Sequence, residues 1–151
     1  MDKKQNRYNR IYKQLRELLP KCDNPLSRMA TIVSLLHHKT DYFFWTGYYL
    51  LNNGKLQVGP YQGMIACMEL EKDKGVCWAC INKKETVIVP DVHKFTGHIA
   101  CDSRSKSEIV VPVFNKNKEI IGVLDVDSKE LDSFDALDAE NLKKIVGLIF
   151  D

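Results

Sequence analysis

The chain has 151 residues, 44% of them hydrophobic, and its 22 Lys and Arg against 20 Asp and Glu leave a net charge of +2. A chain of this size buries one ordinary core, so a single domain over residues 1–151 is expected. The near balance of charge gives no field to draw nucleic acid, and no apolar run reaches the roughly 18 to 20 residues that cross a bilayer, so neither a polyanion nor a membrane is an expected partner.

The opening Met1-Asp2-Lys3-Lys4 leads into a polar amphipathic stretch without a secretory core, and the expected location is the cytosol. Cys22, Cys67, Cys77, Cys80 and Cys101 form an odd set in a chain large enough to fold without covalent staples. In a reducing compartment they read as thiols, ligands or redox centres, against the plainer reading of each as a small buried hydrophobe.

Tyr8, Ile11, Leu15 and Leu18 recur at helical spacing among Lys and Arg, which predicts a one-striped helix ended by Pro20. Asn24-Pro25 is a helix start, and Met29, Val33 and Leu36 give the second helix its apolar face. Residues 42–51 are aromatic and strand-like, Asn52-Asn53-Gly54 is a hairpin turn, and Leu56 and Val58 return antiparallel. A further short strand is expected over Gly63 to Met68, then a helix from near Gly75 through Cys77, Trp78, Ala79 and Ile81, then a strand at Val87-Ile88-Val89 closed by Pro90. Asp91 to Lys106 has no clear period and is long for an idle connection, so a functional loop is expected. Glu108 to Phe114 and Ile120 to Asp127 read as strands joined by Asn115-Lys116-Asn117-Lys118, with Pro112 weakening the first ladder. A last helix starts near Ser133 and buries Leu142, Ile145, Val146 and Ile149. This order predicts an α+β fold, a mostly antiparallel central sheet flanked by helices.

Alternation along Ile121 to Asp127 puts Asp125 and Asp127 on one face, about 7 Å apart along the strand. If the two late strands pair as a hairpin, Glu108 lies at the same end of the sheet. Mutual repulsion and partial burial raise the pKa of at least one such carboxyl, giving a proton donor near neutral pH, whereas the plainer reading is a strand running out into solvent. Cys101 lies seven residues before Glu108, and acidic neighbours do not favour a thiolate. A helix N-terminus, loop amides, a cationic substrate or His98 must then lower its pKa. His37 and His38 read as end-of-helix residues.

Trp45-Thr46-Gly47-Tyr48-Tyr49, Gly63-Met64-Ile65-Ala66-Cys67, Gly75-Val76-Cys77, Ile88-Val89-Pro90-Asp91-Val92, Gly97-His98-Ile99-Ala100-Cys101-Asp102, Ser107-Glu108-Ile109-Val110-Val111-Pro112 and Gly122-Val123-Leu124-Asp125-Val126-Asp127-Ser128 follow one another in order. This set, spread over most of the chain, resembles the free methionine-(R)-sulfoxide reductases, which have a GAF fold. The resemblance implies that Cys101 attacks and Cys67 resolves, with Cys77 an alternative resolver; Cys22 and Cys80 fall outside the pattern. Trp78-Ala79-Cys80 departs from the Gly and small residues usual after the middle cysteine, which bears on the packing around Cys77.

Reduction of a sulfoxide needs an acid at oxygen and a nucleophile at sulfur. The implied cycle runs through a sulfenic acid on Cys101, a disulfide with a second thiol and reopening by a thioredoxin-like dithiol, with no cofactor. Glu108, Asp125 and Asp127 suit either the substrate ammonium or protonation, with Asp127 or Glu108 favoured as the acid. The resemblance also implies that Trp45 and Tyr49 form an aromatic wall for the substrate. Closure of the 91–106 loop over the amino acid would give selectivity for free methionine sulfoxide; the R preference rests on resemblance. A homodimer is compatible with the fold.

The rival function is a GAF small-molecule sensing module without chemistry; spaced cysteines, and a sequence that ends after its last helix, weigh against it. A zinc site built on Cys77-x-x-Cys80 with Cys67, Cys101 or His98 lacks a second cysteine pair, and no metal is expected.

Overall fold

Capping and amphipathic spacing start the chain as sequence rules require. A computed structural model describes residues 2–97 and 103–151. Helix α1 spans Lys3–Leu18, with the Asp2 side chain accepting from the Lys4 amide and Tyr8, Ile11 and Leu15 buried. It tightens into a 3-10 turn at Leu19–Lys21, where Pro20 stops the α-helical ladder. Helix α2, Pro25–Lys39, begins with Pro25 in its first turn and the Asn24 side chain accepting from Leu26 N at 2.9 Å. Among the described residues, no helix is long and apolar enough to cross a membrane.

The strands are β1 (Trp45–Asn52), β2 (Lys55–Gln62), β3 (Glu69–Leu70), β4 (Val87–Val89), β5 (Ser107–Phe114) and β6 (Ile120–Ser128). They form one sheet in the order β3-β2-β1-β6-β5-β4, and every neighbouring pair is antiparallel. Asn53 and Gly54 both have positive φ, 53° and 78°, the backbone of a tight two-residue hairpin between β1 and β2. Pro112 lies past the end of β4, which pairs only with Glu108 to Val110. There β5 has a neighbour on one side only, and an edge accommodates the missing donor.

Both faces of the sheet are covered. Tyr48, Ile109, Val111, Val113, Leu124 and Val126 pack against α1, α2 and the last helix. Trp45, Tyr49, Val110 and Val123 face the other way, towards helix α3 (Gly75–Lys83). Period-2 alternation therefore sorts each strand between two cores, and the carboxylates of β5 and β6 fall on the α3 side.

Two expected elements shift. The strand expected over Gly63 to Met68 is absent; those residues are irregular, and β3 comes later, at Glu69–Leu70. Gly63 turns the chain at φ 122°; the Met64 and Cys67 carbonyls accept from side chains of β1, and the Met68 carbonyl accepts from a strand backbone, Val58 N of β2 at 2.9 Å. Helix α4 runs Ala136–Val146 and starts at Asp135, not Ser133. Asp135 accepts from the Leu137 and Asp138 amides while Asp138 accepts from Asp135 N, a reciprocal cap that outcompetes the serine.

Candidate active site

The α3 face of the sheet carries one cross-strand row of four residues. Val89 pairs with Glu108, Glu108 with Asp127, and Asp127 with Trp45. One step along, Val110 pairs with Asp125 and Asp125 with Gly47. Glu108 and Asp125 are each 5% exposed, whereas Asp127 is half-buried.

These carboxyls do not behave as surface acids. Burial, then the nearby Asp127 charge, pushes Glu108 up to about 8. Burial and the Glu108 charge hold Asp125 well above the ordinary carboxylate range. Glu108 is hydrogen-bonded to both Asp125 and Asp127. Two carboxyls can bond only if one keeps its proton, and the opposed effects on the two groups make Asp125 the donor to Glu108 and Glu108 the donor to Asp127. The site thus holds acidic protons near neutral pH, with Asp127 accepting at the exposed end.

Helix α3 brings a thiol to this chain of acids. Cys77 is buried and free, and its S–H is bonded to Asp125. Burial, and then Asp125 and Glu108, raise the Cys77 thiol well above its ordinary value, so it stays protonated. One ligand atom each from Cys77, Glu108 and Asp125 lie within 4.8 Å of one another. Cys80 faces the same apolar layer, its thiol pushed up to about 12 chiefly by burial. Trp78, the bulky residue after Cys77, is buried, and its indole N–H donates to the Leu70 carbonyl at 3.3 Å.

Trp45 and Tyr49 pin the 63–68 segment above the sheet. The Trp45 indole N–H donates to the Met64 carbonyl at 3.0 Å, and the Tyr49 hydroxyl to the Cys67 carbonyl at 2.9 Å. The Trp45 ring lies over Gly47, stacked on Tyr49 at 5.9 Å and on Tyr61 at 5.3 Å. Any side chain at Gly47 would meet that ring, since its Cβ would fall 2.6 Å from Trp45 Cη2. Cys67 is half-buried and disulfide-bonded.

The expected 91–106 loop contains a 3-10 turn at Val92–Lys94, and its ends are tied by Val92 N donating to the Lys106 carbonyl at 2.9 Å. Gly97 approaches the first turn of α3: its Cβ position lies 3.9 Å from Gly75 N. Lys74, at the N-cap of α3, supplies no side-chain cap to the first amides of that helix. The expectations for His98 and Cys101 lie outside the described residues.

The structure therefore gathers Trp45, Tyr49, Cys77, Glu108, Asp125 and Asp127 on one sheet face, with Cys67 on the segment above it. Tyr61 was not singled out from sequence, where its position in β2 gave no chemical signal. Its stacking on Trp45 appears only when β1 and β2 pair.

The GAF domain family model matches residues 27–149, and the six-stranded antiparallel sheet with helices on both faces agrees with that class. GAF domain-containing protein A of Dictyostelium discoideum is 44% identical over 97% of this chain and 92% of its own length. A free methionine-R-sulfoxide reductase of Escherichia coli is 41% identical over 80% of this chain and 73% of that protein. In three dimensions, a free methionine-R-sulfoxide reductase of Neisseria meningitidis solved with its substrate superposes with a TM-score of 0.93 at 34% identity, covering 99% of this chain and 90% of that one. The chain belongs to the free methionine-(R)-sulfoxide reductase family of GAF-domain oxidoreductases.

Proposed function

We propose that this protein reduces free methionine-(R)-sulfoxide to methionine, with Cys101 as nucleophile and Cys67 as resolving thiol. The observation that carries this reading is the chain of carboxyls in which buried Asp125 and Glu108 hold protons and half-buried Asp127 accepts, on the face where Trp45 and Tyr49 hold the Cys67 segment. A sulfoxide oxygen needs an acid, and Glu108 keeps its proton up to about pH 8. A free amino acid also brings an ammonium, and Asp125 and Asp127 offer it negative charge once a proton leaves.

In the proposed cycle the Cys101 thiolate attacks the substrate sulfur while the sulfoxide oxygen takes a proton from Glu108 or Asp127. Collapse transfers that oxygen to Cys101 as sulfenic acid and releases methionine. The Cys67 thiol then displaces water to give a disulfide, which an external dithiol of the thioredoxin type reduces to two thiols at the expense of its own. The disulfide carried by Cys67 and the free, buried, protonated state of Cys77 support Cys67 over Cys77 as resolver. The uncapped start of α3 beside Gly97 supports stabilisation of an anion there, either the Cys101 thiolate or the substrate carboxylate.

The same reading treats residues 1–151 as one catalytic domain in the cytosol, acting on free rather than peptide-bound substrate, with a homodimer compatible with the fold. The test is an NADPH-coupled assay with thioredoxin and its reductase on free L-methionine-(R)-sulfoxide. Wild type is expected to turn over and Cys101→Ser to be inactive; turnover by Cys101→Ser overturns the mechanism. Mass mapping after substrate addition is expected to find a Cys67–Cys101 bridge, and a Cys77–Cys101 bridge instead reverses the order of the thiols.

A further inference from the structure

We infer that Cys77, Glu108 and Asp125 also form a binding site for a soft divalent cation of the Zn2+ type, and that a metal seated there excludes the substrate. The first clause stands on geometry, while the second rests on the proposed function. One thiol sulfur and two carboxylate oxygens, from α3, β5 and β6, lie within 4.8 Å of one another and are buried. Ligands about 2.0–2.3 Å from a tetrahedral zinc ion stand roughly 3.3–3.8 Å apart, so the three groups close on such a set by about 1 Å.

An independent sign of a missing partner is Asp125 Oδ1. It is buried and accepts no hydrogen bond among the described residues, although the whole residue is only 5% exposed. Once the proton that Asp125 shares with Glu108 has left, this buried oxygen has no donor, and a cation at this point would satisfy it. The donor set also fixes the class of metal. A thiolate with two carboxylates favours Zn2+ or Cd2+, whereas Mg2+ and Ca2+ require all-oxygen shells. Three protein ligands leave a fourth position open, unlike a closed structural site.

Binding involves no electron transfer. The Cys77 thiol proton and any proton on Glu108 or Asp125 leave to solvent as metal–ligand bonds form, so affinity rises with pH. The other titratable groups facing the site are Asp127 on β6, Tyr49 on β1 and Cys80 on α3. Asp127 adds to the attraction for a cation. A divalent ion removes the like-charge repulsion within the acid chain, and it occupies the ground proposed for the substrate ammonium.

The test is a Co2+ titration of reduced Cys67→Ser/Cys101→Ser protein, in which the two thiols of the proposed redox cycle are gone. One equivalent of Co2+ is expected to give a near-ultraviolet sulfur-to-cobalt charge-transfer band that Zn2+ bleaches and that strengthens with pH. The band is expected to vanish when Cys77→Ser is added. Glu108→Gln and Asp125→Asn keep the sulfur, and each is expected to weaken Co2+ binding by at least about 10-fold. Absence of the band overturns the site, as does a band indifferent to Cys77→Ser or to both carboxamide variants. Free L-methionine-(R)-sulfoxide is expected to weaken the apparent Co2+ affinity. A Cys77-dependent band that ignores the sulfoxide upholds the metal site and overturns the placing of substrate on these carboxyls.

Discussion

The Tyr49 hydroxyl donates to the Cys67 carbonyl across 2.9 Å, joining a central strand to the irregular segment that carries a disulfide-bonded cysteine. Tyr49→Phe keeps the ring and its stacking on Trp45 and removes this bond alone. One neutral hydrogen bond contributes about 1 kcal/mol, so disulfide formation after a single turnover is expected to slow roughly 5-fold. Stopped-flow measurement of that step checks it; an unchanged rate means that the bond does not position Cys67.

Glu108 gives the pH dependence. Its carboxyl rises in the folded state from an ordinary 4.5 to about 8, chiefly through burial. Between those values the folded protein holds a proton that the unfolded chain has lost. The associated stability is fully present below about pH 4.5 and is lost as pH rises through about 8. Tm is therefore expected to fall from pH 5 to pH 9 in wild type and to flatten in Glu108→Gln. The same titration predicts that kcat/KM declines above about pH 8. A wild-type Tm that climbs over this range contradicts the burial argument.

Gly63 is expected to tolerate no side chain. Its φ is 122°, and an added Cβ would fall 2.8 Å from Trp45 Cδ1 and 3.1 Å from the Phe44 carbonyl oxygen. Gly63→Ala should cost about 1–3 kcal/mol in backbone strain alone and displace the Cys67 segment. Urea unfolding reads the loss of stability, and Trp45 fluorescence reads the displacement.

Asp138 ties α4 to the N-terminal helix. It is fully buried and accepts from Tyr8 and Tyr42 hydroxyls at 2.6 Å each and from Lys4 Nζ at 2.7 Å. Asp138→Ala removes the acceptor shared by the two tyrosine hydroxyls, leaves Lys4 only its longer contacts with the Ser133 carbonyl and Asp135, and removes half of the reciprocal cap. A loss of about 3 kcal/mol is expected, measured as a lower urea midpoint.

Tyr48 offers the opposite sign. Its hydroxyl is buried and has no partner among the described residues. Tyr48→Phe removes a polar group whose desolvation is uncompensated, and is expected to leave Tm unchanged or raise it by a few degrees. A marked fall in Tm would reveal a partner for that hydroxyl.

The sequence by itself determined what depends on local periodicity. The stripe of Tyr8, Ile11 and Leu15 set α1, Asn53-Gly54 set the first hairpin, and alternation put Asp125 and Asp127 on one face with Glu108 in register beside them. Each follows from the 3.6- or 2-residue repeat, or from a turn that demands positive φ. Tertiary structure decided the rest. Residues 63–67 do not join the sheet: Gly63 turns the chain at φ 122°, and the Trp45 and Tyr49 side chains bond the Met64 and Cys67 carbonyls before Met68 returns to β2. The last helix starts at Asp135 because Asp138, buried against Tyr8, Tyr42 and Lys4, closes the cap from within. The family resemblance implies Cys77 as an alternative resolver, yet α3 packs its thiol against Asp125 and Glu108, where burial and acidic neighbours keep it protonated. Such contacts join residues far apart in the chain, so only the folded molecule fixes which side chain meets which.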